Sequence, residues 1–314
     1  MDPLVNILMS VHNGERFLRE QLDSLLNQTY LNWHLSVRDD NSADGSVNIV
    51  EEYVRRYPEK VSIMADDHGQ LGACQSFGML LSNTGADYIM FCDQDDVWLP
   101  EKIERSLSEI RRLEKLNPGK PAMVFTELSV VDQNLRLRSD SFWRYQRINP
   151  TDNSLNLLIA DNVATGCTMI FNRKLKDISS PIPGNVIMHD WWMTLMCSIY
   201  GSMSFLSEPT ILYRQHDMND TGAVDFSPAA RSRKFIGSPF GVFMRSTAKA
   251  AQVRRQAGEL LKRTQEYQVL DAEVTVPLSR FCASTNFINR KWCLIHCRML
   301  SRNYIKALKQ LLFL

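Results

Sequence analysis

Apolar and polar positions along the first two thirds of the chain alternate between two periods. Leu4 to Val11 is a mostly apolar run that reads as a strand, and His12-Asn13-Gly14 is the turn leaving it. From Glu15 to Asn27 the apolar residues Phe17, Leu18, Leu22, Leu25 and Leu26 recur at helical spacing and share one face. The pattern then repeats: strand at Trp33–Val37, helix at Val47–Tyr57, strand at Val61–Met64, helix at Gly72–Ser82, strand at Tyr88–Phe91. Strands alternating with helices predict a parallel, doubly wound sheet, so the loops at the strands' carboxyl ends share one edge. A charged helix is expected from Pro100 to about Leu116, ended by Pro118-Gly119-Lys120-Pro121. Beyond it, strands are expected at Ala122–Thr126, Leu128–Asp132 and Val163–Phe171, with a polar, loop-rich segment over 134–161. Met188 opens a helix to about Tyr200, and two short strands, Ser204–Ser207 and Thr210–Tyr213, flank Pro209. From Pro228 onward the pattern is helical and basic, with no internal repeat.

The most informative stretch is Phe91-Cys92-Asp93-Gln94-Asp95-Asp96-Val97-Trp98, where a buried strand runs into three carboxylates. Ligands of open α/β sheets bind just outside strand carboxyl ends. Crowded carboxylates repel one another unless something positive sits among them. A hard divalent cation, Mg²⁺ or Mn²⁺, with a bound diphosphate would meet that need. The competing reading is an acidic turn capping the helix near Pro100. Asp39, Asp40 and Asp44 also follow a strand: they suit helix capping and Asx turns, while Asp39 is placed to accept the ring N–H of a pyrimidine. His189-Asp190-Trp191-Trp192 pairs a lone carboxylate with two indoles. Asp190 can serve as a general base and the indoles as sugar-stacking faces, or Asp190 can cap a helix whose tryptophans fill the core. Arg214-Gln215-His216 ends the last strand, where His216 can join a metal shell and Arg214 can neutralise phosphate. The glycine in the Val163–Phe171 run, Gly166, marks a close backbone approach.

Composition changes this picture in two places. The 314 residues carry a formal charge of +1, yet from Pro228 to the end sixteen Lys/Arg face four Asp/Glu, which points to an anionic partner late in the chain. Seven cysteines lie without paired spacing, which fits reduced thiols in a cytoplasmic protein. Cys293-Leu294-Ile295-His296-Cys297 lacks the second ligand pair a zinc site needs. No run approaches the roughly 20 apolar residues of a spanning helix, and the interrupted apolar start is not a signal peptide.

The ordered set Ser10-Val11-His12-Asn13-Gly14-Glu15, Arg38-Asp39-Asp40-Asn41-Ser42-Ala43-Asp44-Gly45, the Phe91–Trp98 stretch, Thr165-Gly166-Cys167-Thr168, His189-Asp190-Trp191-Trp192 and Tyr213-Arg214-Gln215-His216 resembles the family 2 glycosyltransferases, most closely their bacterial rhamnosyltransferase-like branch. The resemblance runs from about Leu4 to about Asn219. It implies an inverting enzyme of the GT-A fold: a Rossmann-like, mixed but mainly parallel sheet with helices on both faces. Val11, His12, Asp39 and Asp40 would then hold the nucleotide, Asp93 the ribose or a metal, and Asp95 and His216 the metal, Mg²⁺ or Mn²⁺. Asp190 matches the catalytic base, while Asp96, Gly166, Trp191, Trp192 and Arg214 would line the sugar sites. Two departures stand out. Asn41 replaces a common glycine and tolerates the same left-handed backbone, and Asp217 places a carboxylate beside the proposed metal residue His216. No basic residue occurs in Leu71–Phe77 to grip a diphosphate.

Residues 1–225 are therefore expected to form the catalytic domain and 226–314 a basic helical extension. The extension interleaves Phe281, Phe287, Trp292, Leu294, Tyr304, Leu308 and Leu311–Leu314 with Arg280, Arg290, Lys291, Arg298, Arg302, Lys306 and Lys309. That pattern suits a helix on an anionic membrane face, or a helical cap on the catalytic domain. The expected function is transfer of a sugar, L-rhamnose from dTDP-L-rhamnose, to a lipid-linked glycan in cell-surface polysaccharide synthesis at the inner face of the bacterial membrane. Transfer from a UDP-hexose is the alternative. A nucleic-acid partner is not expected. A sugar-nucleotide pyrophosphorylase would need a glycine-rich basic loop after the first strand, which His12–Glu15 is not. A non-catalytic glycan-binding protein would have no need of intact Asp93, Asp95 and Asp190.

Overall fold

In β1 (Val5–Val11) successive side chains go to opposite faces of a sheet buried on both sides. Val5, Ile7, Met9 and Val11 enter one core, and Leu8 enters the other. β4 (Tyr88–Cys92) divides in the same way, with Ile89 and Phe91 on one side and Met90 and Cys92 on the other. The computed structural model describes residues 2–217, 239–267, 271–283, 287–296 and 298–300, with the single positions 307 and 312. Among them, nine strands make one mixed sheet in the order β3-β2-β1-β4-β8-β6-β9-β5, with β7 (Leu137–Ser139) on β6. β2 (Trp33–Asp39) and β3 (Val61–Ile63) run parallel to β1, as does β4. β8 (Ile170–Asn172) is antiparallel to both β4 and β6 (Ala122–Asp132), and β9 (Ser202–Gln215) is parallel to β6. The two-residue β5 (Val97–Trp98) pairs antiparallel with β9.

Amphipathic helices close both faces. α1 (Glu15–Leu26), α2 (Ser46–Arg56) and α4 (Lys102–Leu116) bury Leu18, Leu22, Ile49, Ile103 and Ile110 on one face. α3 (Ala73–Ser82), α7 (Arg173–Ser179) and α8 (His189–Tyr200) cover the other. Two short helices, α5 (Phe142–Gln146) and α6 (Leu155–Leu158), lie within the segment expected to be loop-rich. The βαβ half thus follows the hydrophobic pattern closely.

The later strands differ from the pattern in three places. The two runs expected on either side of Glu127 form a single strand, β6, because Glu127 is bonded within the fold and does not interrupt it. Its carboxylate accepts Ser141 Oγ at 2.5 Å and the backbone N–H of Phe142 at 3.0 Å. The runs flanking Pro209 also join, as β9, and the register against β6 shifts between Thr126 and Ser129, where Pro209 cannot donate to the ladder. Val163–Phe171 is a strand only from Ile170; Gly166–Thr168 is a 3-10 turn.

The expected boundary at 225/226 and the end of the basic tail fall outside the described residues. The helices that are described, α9 (Pro239–Glu266), α10 (Ala272–Ala283) and α11 (Phe287–His296), send Ala250, Val253, Ala257, Leu260, Leu278, Phe281, Cys293 and Leu294 into the core shared with α3 and α8. Arg263 donates to the carbonyls of Ile178 and Pro181, and its guanidinium lies 5.5 Å from the Trp192 ring centroid. These apolar residues are therefore spent on a helical cap, while Tyr267, Val276, Trp292, Ile295 and Leu312 are exposed among the described residues. No helix among the described residues is long and apolar enough to cross a membrane. The six described cysteines are free thiols.

Candidate active site

The carboxyl ends of β1, β2, β4 and β9 meet at one sheet edge and open a cavity of about 390 Å³. On its wall the His12 turn is held by Gln94. The Gln94 side chain accepts His12 N–H at 2.8 Å and donates to His12 C=O at 2.9 Å. Gly14 makes room for this clamp, since a Cβ there would lie 2.4 Å from Gln94 Oε1. Gln94 was hidden in the acidic motif, and its partner is 82 positions away, so spacing could not reveal it.

Beside the turn, Arg38 forms the hub of a buried network. It donates to Asp40 at 2.5 Å, Asp66 at 2.8 Å and the Gly69 carbonyl at 2.8 Å. Asp40 in turn accepts the N–H groups of Leu71 and Gly72. This fixes the loop that lines the cavity with Gln70, Gly72 and Ala73. Asp40 thus reaches the cavity wall while its carboxylate also anchors Arg38 and the 71–72 backbone. Val11 is fully buried and is placed to contribute backbone only. Asp39 accepts Ser42 N–H at 3.0 Å with one oxygen, and its other oxygen has no hydrogen-bond donor. Asn41 takes the left-handed backbone at φ 65° that the sequence allowed. Asp44 binds Glu15 N–H and Ser46, as a cap would.

At the centre, Asp93 and Asp95 line the cavity, and Asp95 Oδ2 lies 2.7 Å from His216 Nε2. His216 is steadied against the Phe17 ring at 4.8 Å between centroids. Carboxylates and an imidazole are donor types that suit Mg²⁺ or Mn²⁺, and the Asp95–His216 pair offers one of each. Among the described residues the group of three candidate donors within 4.8 Å of one another is Asp93 with buried Asp96 and Cys167, whose thiol suits a hard cation less well. Burial pushes the Cys167 thiol well up, and the buried Lys102 ammonium stands behind it. Burial lowers Lys102 to about 8, and Cys167, Cys92 and Asp96 pull it back up. The chain therefore supplies part of the positive charge that its crowded carboxylates need. Asp217, which the sequence placed awkwardly near this site, is exposed.

Asp96 and Arg214 do not face a sugar. Asp96 is fully buried, and its Oδ1 accepts Arg214 N–H at 2.9 Å, tying β9 to the acidic loop. Arg214, 1% exposed, donates to the carbonyls of Asp95 and Gln133 and to Glu20. Trp191 and Trp192 also leave the sugar site. Their indole N–H groups donate to the carbonyls of Leu158 at 2.6 Å and Ser179 at 2.9 Å, inside the core. The α8 face that buries them turns Asp190 the other way.

Asp190 lines the same cavity from the first turn of α8. It accepts N–H groups from Trp191 at 2.5 Å and Gly166 at 3.0 Å. Burial pushes its carboxyl up to about 6, and those two bonds hold it back from a larger rise. A carboxylate poised near neutrality in a cleft is what a general base requires. Ser10, Phe77, Thr165, Met188, His189 and Tyr213 also line the wall, none of them given a role of its own from the sequence. No Lys or Arg lines the cavity among the described residues.

A model of the family described as "Glycosyl transferase family 2" matches residues 6–178, more than half of the chain. The chain belongs to glycosyltransferase family 2. A dTDP-rhamnosyl transferase of Shigella flexneri, RfbG, is 26% identical over 230 residues, covering 68% of this chain and 74% of the relative. Among solved structures, Staphylococcus aureus TarS in complex with UDP-GlcNAc aligns over 95% of this chain and 93% of its own, with TM-score 0.55 and 15% identity. The mannosyltransferase PcManGT of Pyrobaculum calidifontis, in complex with GDP-Man and Mn²⁺, covers 98% of this chain and 79% of its own, with TM-score 0.50 and 14% identity. The fold is the α/β glycosyltransferase fold of these neighbours, GT-A, as the resemblance implied.

Proposed function

We propose that this family 2 chain is a metal-dependent, inverting glycosyltransferase that moves L-rhamnose from dTDP-L-rhamnose to a glycan hydroxyl. The observation that carries the reading is Asp190, a carboxylate pushed up to about 6 that faces the same cavity as Asp93 and Asp95. Asp39, with one oxygen lacking a donor, would accept the pyrimidine N–H, and the Gln94-clamped His12 turn would seat the base. Asp93, Asp95 and His216 would hold Mg²⁺ or Mn²⁺, whose chemistry is to balance the diphosphate's negative charge. Asp190 takes the proton of the acceptor hydroxyl as its oxygen bonds to the anomeric carbon from the face opposite the leaving group. The bond from that carbon to the diphosphate oxygen breaks with its electron pair, which inverts the configuration. The choice of rhamnose rests on the likeness to the Shigella flexneri relative.

A lipid-linked acceptor at the inner membrane face belongs to the same reading. Exposed Trp292 and Ile295, with exposed Arg280 and Arg298 on the helical cap, would meet an anionic surface there. Donor binding and hydrolysis test the whole, using dTDP-rhamnose, UDP-glucose, UDP-galactose and UDP-N-acetylglucosamine with Mn²⁺ or EDTA. Metal-dependent preference for dTDP-rhamnose is expected. Preference for a UDP-sugar would keep the mechanism and change the sugar. Silence on every donor would leave a glycan-binding protein without turnover.

A further inference from the structure

His189 immediately precedes Asp190 and lines the same cavity, yet neither of its ring nitrogens has a hydrogen-bond partner. The ring is only 5% exposed. It is held in place by apolar contacts alone, stacked on Phe77 at 4.2 Å and meeting the edge of Phe91 at 4.6 Å. A buried donor or acceptor without a partner is disfavoured, so native structures rarely keep one unless a ligand, an ion or an ordered water completes it. Burial also lowers the imidazole to about 3, so it stays neutral and offers one donor and one acceptor. Proton transfer near neutral pH is therefore not its task.

The backbone opposite is shaped to the same end. Gly166 lines the cavity, and a Cβ added to it would sit 3.1 Å from His189 Nε2, 3.4 Å from Asp190 Cβ and 3.7 Å from Asp190 Oδ2. The missing side chain leaves a small notch between the imidazole and the proposed base. The notch opens into the same cavity that Asp93 and Asp95 line. With the diphosphate of a donor held at those two carboxylates, the part left to reach the notch would be the sugar.

We propose that His189 is a specificity-determining residue whose neutral imidazole hydrogen-bonds a ring hydroxyl of the donor sugar seated in the notch over Gly166. The proposal rests on the nucleotide-sugar reading of the site. It separates sugar recognition, by His189 and Gly166, from nucleotide recognition, by the His12 turn and Asp39. A site that hydrogen-bonds a substrate hydroxyl rejects analogues lacking it far more strongly than an apolar pocket does.

Calorimetric titration of the preferred donor and of its free nucleoside diphosphate, dTDP-rhamnose and dTDP in the first instance, separates the two. His189→Phe keeps the aromatic contacts and removes both nitrogens. It is expected to bind dTDP as the wild type does, bind dTDP-rhamnose roughly tenfold or more weakly and raise the donor KM more than it lowers kcat. His189→Asn, which restores a hydrogen-bonding group, should recover part of the loss. Gly166→Ala should reproduce the loss by filling the notch, and it serves equally if the phenylalanine variant does not fold. Equal weakening of dTDP and dTDP-rhamnose would assign His189 a structural role and overturn the proposal, as would unchanged donor binding in both variants. A wild-type protein that binds none of the sugar nucleotides would overturn the functional reading itself, a result the variants cannot mimic.

Discussion

On the cavity wall Asp93 and Asp95 belong to the acidic loop, where Asp95 pairs with His216 and the Lys102 ammonium is buried behind. Asp190, on the same wall, sits in the first turn of α8 next to buried His189 and accepts two amide N–H groups. The residue type is the same in both places, and the surroundings differ. Positive and polar neighbours suit the first pair to holding charge, whereas loss of water suits the second to exchanging a proton. One aspartate is made a ligand and another a base by what packs around it.

The largest expected effect comes from Asp190→Asn. Turnover should fall by roughly 10²–10⁴-fold while donor affinity, measured by calorimetry, stays as in the wild type, because the acidic loop is untouched. Near-native transfer rates in that variant would remove the contrast between the two places. A smaller effect follows from pH. Asp190 must be ionised to accept a proton, and its carboxyl is raised to about 6. The transfer rate should be level above that value and fall about tenfold per pH unit below it; a limb at the ordinary carboxylate value near 4 would mean that burial does not set this group. The smallest effect tests the corrected tryptophans. Trp191→Phe loses the bond to the Leu158 carbonyl and some packing, so urea unfolding should show a loss of about 1–3 kcal/mol with little change in KM. A rise in KM without loss of stability would restore Trp191 to the sugar site.

Much of this could be read from particular residues. The mostly apolar runs at Val5–Val11 and Tyr88–Cys92 specified strands buried on both faces, as in a parallel sheet, because neither side of such a strand is fit to meet water. The strand pattern placed Asp39 at the end of β2 and Asp93 and Asp95 in the loop after β4, where ligands gather. The sequence could not distinguish Asp95 from Asp96, which are neighbours in the chain. One lines the cavity beside His216, and the other is buried as an anchor for Arg214 N–H. Nor could it send Trp191 and Trp192 inward, since indoles suit a sugar and a core equally well.

Local pattern determined the order of strands and helices, the shared edge of the sheet and the residue types gathered there, because each depends on spacing within a few positions. Tertiary structure decided the rest. The Gln94 clamp on His12, the Arg38 hub, the Asp95–His216 pair across 121 positions and the unpartnered His189 beside Gly166 all arise from chain segments that meet only when the sheet is assembled. Burial, which raises Asp190 and keeps His189 neutral, likewise belongs to the packed molecule, because water leaves a side chain only when other segments close over it.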